Sequence, residues 1–137
     1  METRFVTIKD GEPSMATPFS FSANAVEALL AGTIVGIAGS ALIGPAAKDG
    51  SIPPVGFITQ NVNMNEEIQV YTAGMVQALF DTTTGMGSIP IPVYLSANGY
   101  VTPVPPTSGE VKQIGLGYLV GATPWLFFQP QLSLFLS

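Results

Sequence analysis

Gly, Pro, Asn and Ser divide the chain into short apolar runs, and this division constrains the fold more than any other feature. Each run is four to eight residues long, which suits the strands of a small β-barrel or β-sandwich better than helices. We therefore predict an all-β fold. The predicted strands are TIVGIA (33–38), ALIGPA (41–46), PVGFIT (54–59), EIQVYTA (67–73), MVQALF (75–80), IPVYLS (91–96), YVTPV (100–104), QIGLGYLV (113–120), PWLFFQP (124–130) and LSLFL (132–136).

Two of these regions carry clear local signals. VYLSANGYVT (93–102) predicts a hairpin, because Asn-Gly joins two β-favouring runs. It alternates apolar and polar residues, as does EIQVYTA, whereas most other runs are apolar on both faces and predict strands covered on both sides. Between Ser22 and Gly32 the sequence allows either the segment leading into a strand or a short helical turn that is capped by Asn24 and ends at Gly32. We predict the turn.

Two parts of the chain resemble each other. Residues 34–59 align with residues 92–119 at an offset of about 58, and after one inserted residue Phe57 matches Leu116. Each part has the order strand, tight turn, strand, Pro/Gly loop, strand. Chance similarity of small apolar residues and a true duplication both fit this pattern. A duplication predicts two similar β-units packed against each other, since neither could bury its apolar side alone.

Charged residues are scarce, at 9% of the chain against about 25% in an average globular protein. The four basic and nine acidic residues give a net charge of −5. A monomer needs a charged surface to stay soluble, so we infer that neighbouring molecules cover much of this surface. The basic residues form no cluster, which argues against nucleic-acid binding.

The side chains that carry most enzymatic and metal chemistry are missing. The chain has no histidine and no cysteine, which removes the commonest general base, the commonest metal ligand and disulfides. We expect no catalytic residue, no cofactor, no metal site and no enzymatic activity. One alternative stays open at residues 61–67 (NVNMNEE), where alternating oxygen-bearing side chains are similar to half of a calcium-binding loop.

The domain organisation predicted is an extended N-terminal arm over residues 1–22 and one β domain over residues 23–137. The arm has prolines, mixed charges and little periodicity, so it would order mainly against something else. Residues 28–47 form an uncharged run of 20 residues with small residues at every fourth position. This pattern leaves a membrane helix as a less favoured alternative.

Aromatic residues concentrate near the C-terminal end, where they suit a core, a contact between subunits or a carbohydrate platform. Phe127 and Phe128 are adjacent in a predicted strand and cannot both face the same core. We predict seven contact residues from the arm and this aromatic segment. They are Arg4, Phe5, Val6, Ile8, Trp125, Phe127 and Phe128.

The segment IPVYLSANGYVTPVPPTSGEVKQIGLGYLVGATPWLFFQPQ (91–131) is similar to a pattern of bacteriophage virion proteins. AGTIVGIAGSALIGPA followed by VGFITQNV resembles the start of small phage head-decoration (cement) proteins. The resemblance spans roughly residues 32–131 and rests on strand, turn and glycine positions. It implies a small barrel or sandwich on the capsid surface, often trimeric, whose arm adds strand pairing to neighbouring subunits.

Together these features predict a virion structural protein that binds the outer surface of a phage head and stabilises the shell. The expected partners are the major capsid protein and further copies of the chain, in a homotrimer or another homo-oligomer. The alternative is a β-module of a tail or head fibre involved in attachment or glycan binding. A small membrane protein of the holin type, using residues 28–47, is less favoured.

Overall fold

Ten strands in two sheets make up the part of the chain that the computed structural model describes, residues 20–47, 51–105, 107 and 113–129. The all-β prediction is confirmed. The strands are β1 (Ser20–Ala25), β2 (Ile34–Gly39), β3 (Leu42–Pro45), β4 (Gly56–Phe57), β5 (Glu67–Tyr71), β6 (Gly74–Val76), β7 (Ile91–Leu95), β8 (Val101–Thr102), β9 (Gln113–Val120) and β10 (Thr123–Phe128).

Nine of the predicted strands are present, most of them shorter than predicted, and the predicted strand at 132–136 lies outside the described residues. The helical turn predicted between Ser22 and Gly32 is wrong. Residues up to Ala25 belong to strand β1, and the Nδ2 atom of Asn24 donates a hydrogen bond to the carbonyl oxygen of Asn65 at 3.1 Å. Strand β1 also runs across position 22, where the arm was predicted to end.

The first five strands form a closed barrel in the order β1-β3-β2-β4-β5. Strand β1 closes it by pairing parallel to β3 and antiparallel to β5. Along β1 the apolar side chains of Ala23 and Ala25 point inward and are buried. The barrel interior is filled by small and branched side chains, which are Ala23, Ala25, Leu29, Val35, Ile43, Ile58, Val62 and Val70.

Residues 28–47 lie almost entirely in or beside this barrel, so the alternative of a membrane helix there is wrong. None of the helices among the described residues is long and apolar enough to cross a membrane. The small residues of the segment have a packing role instead. At Gly36 a Cβ atom would collide with the carbonyl oxygen of Pro53, so the close approach of the 51–55 loop requires glycine.

The last five strands form an open sheet in the order β6-β10-β9-β7-β8, which we call the half-barrel. A single parallel bridge joins Phe80, four residues after the edge strand β6, to Val101 in the other edge strand, β8. The inner face of the half-barrel is apolar. Its buried side chains are Val76, Val93, Leu95, Val101, Ile114, Leu126 and Phe128.

The outer wall of the barrel covers the inner face of the half-barrel, and this contact forms a second core. The wall contributes Ile34, Ala46 and Phe57. The Phe57 ring meets the Phe128 ring edge-on at 5.7 Å between centroids and stacks on Tyr71 at 5.9 Å. Residues 34–36 of β2 and both residues of β4 are therefore buried on both sides, which explains why their sequences are apolar without alternation.

The two sheets share one topology, and this favours duplication over chance similarity, the two alternatives that the sequence left open. The order β3-β2-β4-β5-β1 in the barrel corresponds to β8-β7-β9-β10-β6 in the half-barrel. The pairing registers agree as well, because Val35 pairs with Gly56 in the first unit and Val93 pairs with Gly115 in the second. The parallel pairing of β1 with β3 corresponds to the Phe80–Val101 bridge.

The predicted Asn-Gly hairpin is present between β7 and β8, and its tip joins the two units. Asn98 (φ 57°, ψ 37°) and Gly99 (φ 77°) both have positive φ, as a type I′ turn requires. The amide of Gly99 donates a hydrogen bond to the carbonyl oxygen of Ala46 at 2.9 Å. A Cβ atom at Gly99 would lie 2.5 Å from the carbonyl oxygen of Ile34.

Replacing Gly99 by alanine should therefore destabilise the fold through the contact between the units. We expect Gly99→Ala to lower the free energy of unfolding by more than about 3 kcal/mol, from backbone strain and the steric clash together. The control is Gly121→Ala, since Gly121 also has positive φ (64°) but nothing lies within 4 Å of its added Cβ. The control should lose only about 1–2 kcal/mol. Equal losses in urea denaturation would contradict the docking of the hairpin on the barrel.

Candidate interaction surface

The outer face of the half-barrel carries a continuous set of apolar side chains that the described residues leave at least partly exposed. Met75, Phe127, Leu116 and Pro92 are direct cross-strand neighbours, one on each of the four strands β6, β10, β9 and β7. A second row pairs Trp125 with Tyr118. We call this set the apolar face, made of Met75, Pro92, Leu116, Tyr118, Trp125 and Phe127.

Several of these side chains are open to solvent. Met75 is 52% exposed and Phe127 is 37% exposed, while Trp125 and Tyr118 are half-buried. The Tyr118 hydroxyl donates to Sδ of Met75 at 3.6 Å. Beside this contact a shallow groove of about 280 Å³ is lined by Met75, Pro90, Leu116, Tyr118 and Phe127. Large apolar side chains that are contiguous and exposed mark interaction sites more often than scattered ones do.

No charged residue lies in the four strands that form the apolar face. The barrel differs in its outer surface along β1 and β5. There the Ser22 hydroxyl donates to Oε1 of Gln69 at 3.0 Å, and Nε2 of Gln69 donates to Oγ of Ser20 at 2.7 Å. One unit thus presents polar cross-strand pairs to solvent, while the other presents methionine and aromatic rings.

The residues predicted as contacts fall into three groups. Phe127 and Trp125 lie on the apolar face, and their role as contact residues stays a prediction. Phe128 is fully buried in the second core, so it is a core residue and offers no surface for a contact. The arm residues Arg4, Phe5, Val6 and Ile8 lie outside the described residues, and their role stays a prediction.

Sequence reasoning missed Met75, Leu116 and Pro92 as members of this surface. Their positions are set by pairing between strands that are distant in sequence. The alignment of the two repeats contained a usable signal, because it matches Leu116 to Phe57, a residue on the outer wall of the barrel.

The loop at 61–67 uses several of its oxygen atoms to hold its own shape. Oδ1 of Asn61 accepts a hydrogen bond from the amide of Ala31 at 2.8 Å. Oε1 of Glu66 accepts one from the amide of Asn63 at 3.0 Å, and Asn65 adopts a left-handed conformation with φ 69°. In the described ranges no group of three or more acidic, His or Cys side chains is placed to hold a metal ion.

A larger groove of about 560 Å³ lies between the units, beside Trp125. Its polar side chains are Thr59, Gln77 and Thr123, and none of its lining side chains titrates. The groove therefore offers hydrogen bonds and one indole ring rather than acid–base chemistry.

Comparison with known proteins finds a similarity to a solved structure. No protein-family model matches the chain, and no curated protein matches it in sequence. The chain is similar in structure to the N base of the head fiber gp8.5 in bacteriophage phi29, with a TM-score of 0.59 and 18% sequence identity. The match covers 81% of this chain and 93% of that one, so the two share a fold over nearly the whole base.

The two adjacent phenylalanines of β10 provide a test of which face points outward. Phe128→Ala should lower the free energy of unfolding by about 3–5 kcal/mol, because it removes a buried ring from the second core. Phe127→Ala is the matched control and should cost only about 1–2 kcal/mol, since its ring is partly exposed. Chemical denaturation of both variants measures the difference. A larger loss for Phe127→Ala would show that the sheet is oriented the other way.

Proposed function

We propose that this chain is a structural protein of a bacteriophage virion, and that it binds the outer surface of the head as a decoration protein. The observation that carries the proposal is the fold shared with a head fiber base over 81% of this chain. The same class of protein follows from the resemblance of residues 32–131 to virion and head-decoration proteins. In this proposal the partners are the major capsid protein and further copies of the chain.

The surface of the protein supports such a role. It has few charges for its size and exposes a row of apolar side chains that a solitary soluble protein would keep covered. A protein that occupies many equivalent sites on a shell needs only modest contacts at each one, because bound copies act together. The proposal requires no enzymatic activity and no cofactor.

A second candidate is the base of a head fibre, favoured by the name of the similar structure. The two candidates differ in mechanical role. A decoration protein stabilises the shell by bridging its subunits, whereas a fibre base anchors an element that reaches outward for attachment or glycan binding. Both place the chain on the head, so binding to heads tests what they have in common.

Co-sedimentation with phage heads tests the common part. Purified chain mixed with heads that lack it should pellet with them, saturate at rising concentration and reach a fixed ratio to the major capsid protein. The matched control is an equal amount of the chain centrifuged without heads. A chain that stays in the supernatant at every concentration would contradict the proposal.

Heating the same heads separates the two candidates. If the chain is a decoration protein, saturated heads should release their DNA at a higher temperature than undecorated heads, since contacts made only in the intact shell stabilise it. If the chain is a fibre base, the release temperature should stay the same although the chain is bound. Fluorescence of a DNA-binding dye during the temperature ramp gives the measurement.

Deleting residues 1–19 tests the proposed role of the arm, and this deletion leaves strand β1 whole. We expect weaker binding to heads, because Arg4, Phe5, Val6 and Ile8 are removed together. The melting temperature of the free protein serves as the control for folding. Unchanged occupancy on heads with an unchanged melting temperature would show that the arm makes no contact with the shell.

A further inference from the structure

The duplication allows the same row of positions to be compared in the two units. In the barrel, Ile34 pairs with Phe57, Phe57 with Tyr71, and Tyr71 with Ser20. In the half-barrel the same strands in the same order place Pro92 beside Leu116, Leu116 beside Phe127, and Phe127 beside Met75. The two rows are therefore equivalent, and both lie on the outer wall of their own unit.

In the barrel this row is the docking surface for the other unit. Ile34 is 0% exposed and Phe57 is 3% exposed, and both belong to the core shared with the half-barrel. Tyr71 packs against the same core from the edge. In one of the two units, this row is thus buried against a neighbouring β-unit.

In the half-barrel the equivalent row has no neighbour within the described chain. It has nonetheless kept large apolar side chains, with Met75 at 52% and Phe127 at 37% exposure. Because Ser20 occupies the position of Met75 in the barrel, the architecture of the unit tolerates a polar residue there. Folding of the half-barrel therefore does not require an apolar side chain at this position. Contact with a partner would explain why the row is apolar.

Charge points to the identity of that partner. Every charged side chain among residues 20–47, 51–105, 107 and 113–129 is acidic, namely Glu27, Glu66, Glu67 and Asp81. Two copies of a chain with net charge −5 repel each other through most approaches. The strands of the apolar face carry no charge, so copies can meet there without placing acidic groups opposite each other.

We propose that the apolar face binds a second copy of this chain. The contact between the two molecules would resemble the packing of the barrel against the half-barrel within one molecule. The contact buries Met75, Leu116 and Phe127 together with the half-buried rings of Tyr118 and Trp125. Aromatic and methionine side chains at the centre of a charge-free patch are the composition typical of interface cores. The inference is independent of head binding, because association is measured with the protein alone.

Light scattering coupled to size exclusion, over a wide range of concentration, tests this assignment. The measured mass of the full chain should exceed that of one chain. This mass should fall on dilution if the association is reversible, or stay constant if the oligomer is closed and tight. Met75→Glu should weaken association by about tenfold or more, because it buries a carboxylate at the contact. The matched control is Met64→Glu, at a residue 61% exposed in the turn before β5, and it should associate like the parent chain.

Thermal unfolding of both variants separates loss of association from loss of folding, and both should keep the parent secondary structure by circular dichroism. A mass of one chain up to about 1 mM would overturn the proposal. That result would mean that residues 130–137 of the same chain, or solvent, cover the face. An equal loss of association in Met64→Glu and Met75→Glu would overturn it too, since added charge rather than this face would then govern the association.

Discussion

The fold depends on one contact, the burial of the barrel's outer wall under the open half-barrel. A five-stranded sheet that does not close cannot shield its own inner face, and here Phe57, Ile34 and Ala46 of the barrel supply the missing wall. The edge-on contact between Phe57 and Phe128 lies in this shared core. The hairpin tip at Gly99, held by the carbonyl oxygen of Ala46, adds a second link between the units. The two units therefore share a core and a backbone hydrogen bond, although each repeats the topology of the other.

The barrel packs against the half-barrel through its outer wall, whereas no described β-unit packs against the equivalent wall of the half-barrel. The row containing Met75, Leu116 and Phe127 is nonetheless apolar, like the equivalent row that is buried in the barrel, and this likeness is the basis for proposing it as an interaction surface. The same packing is consistent with the low charge of the strands that are covered on both sides. Strands that meet other β-units on both sides have few positions where a charged side chain could be solvated.

Much of the fold could be predicted from the sequence, because turn residues and short apolar runs are local signals. The Asn98-Gly99 hairpin and the repeat were found in this way. Strand β1 was missed because SFSANA has small inward residues, Ala23 and Ala25, and because its pairing partners are remote in sequence. The prediction that Phe127 and Phe128 face opposite ways is confirmed, but which of them is buried depends on the sheet that lies opposite. Met75 could not be recognised as a surface residue before β6 was paired with β10.

In the function proposed above, neighbouring molecules on a phage head complete the surface of this protein. Cryo-electron microscopy of heads saturated with the chain tests that claim most directly. We expect density for the barrel and half-barrel on the outside of the shell, with the row of Met75, Phe127, Leu116 and Pro92 packed against another copy. Heads without such density, or bound copies whose apolar face points into bulk solvent, would contradict it.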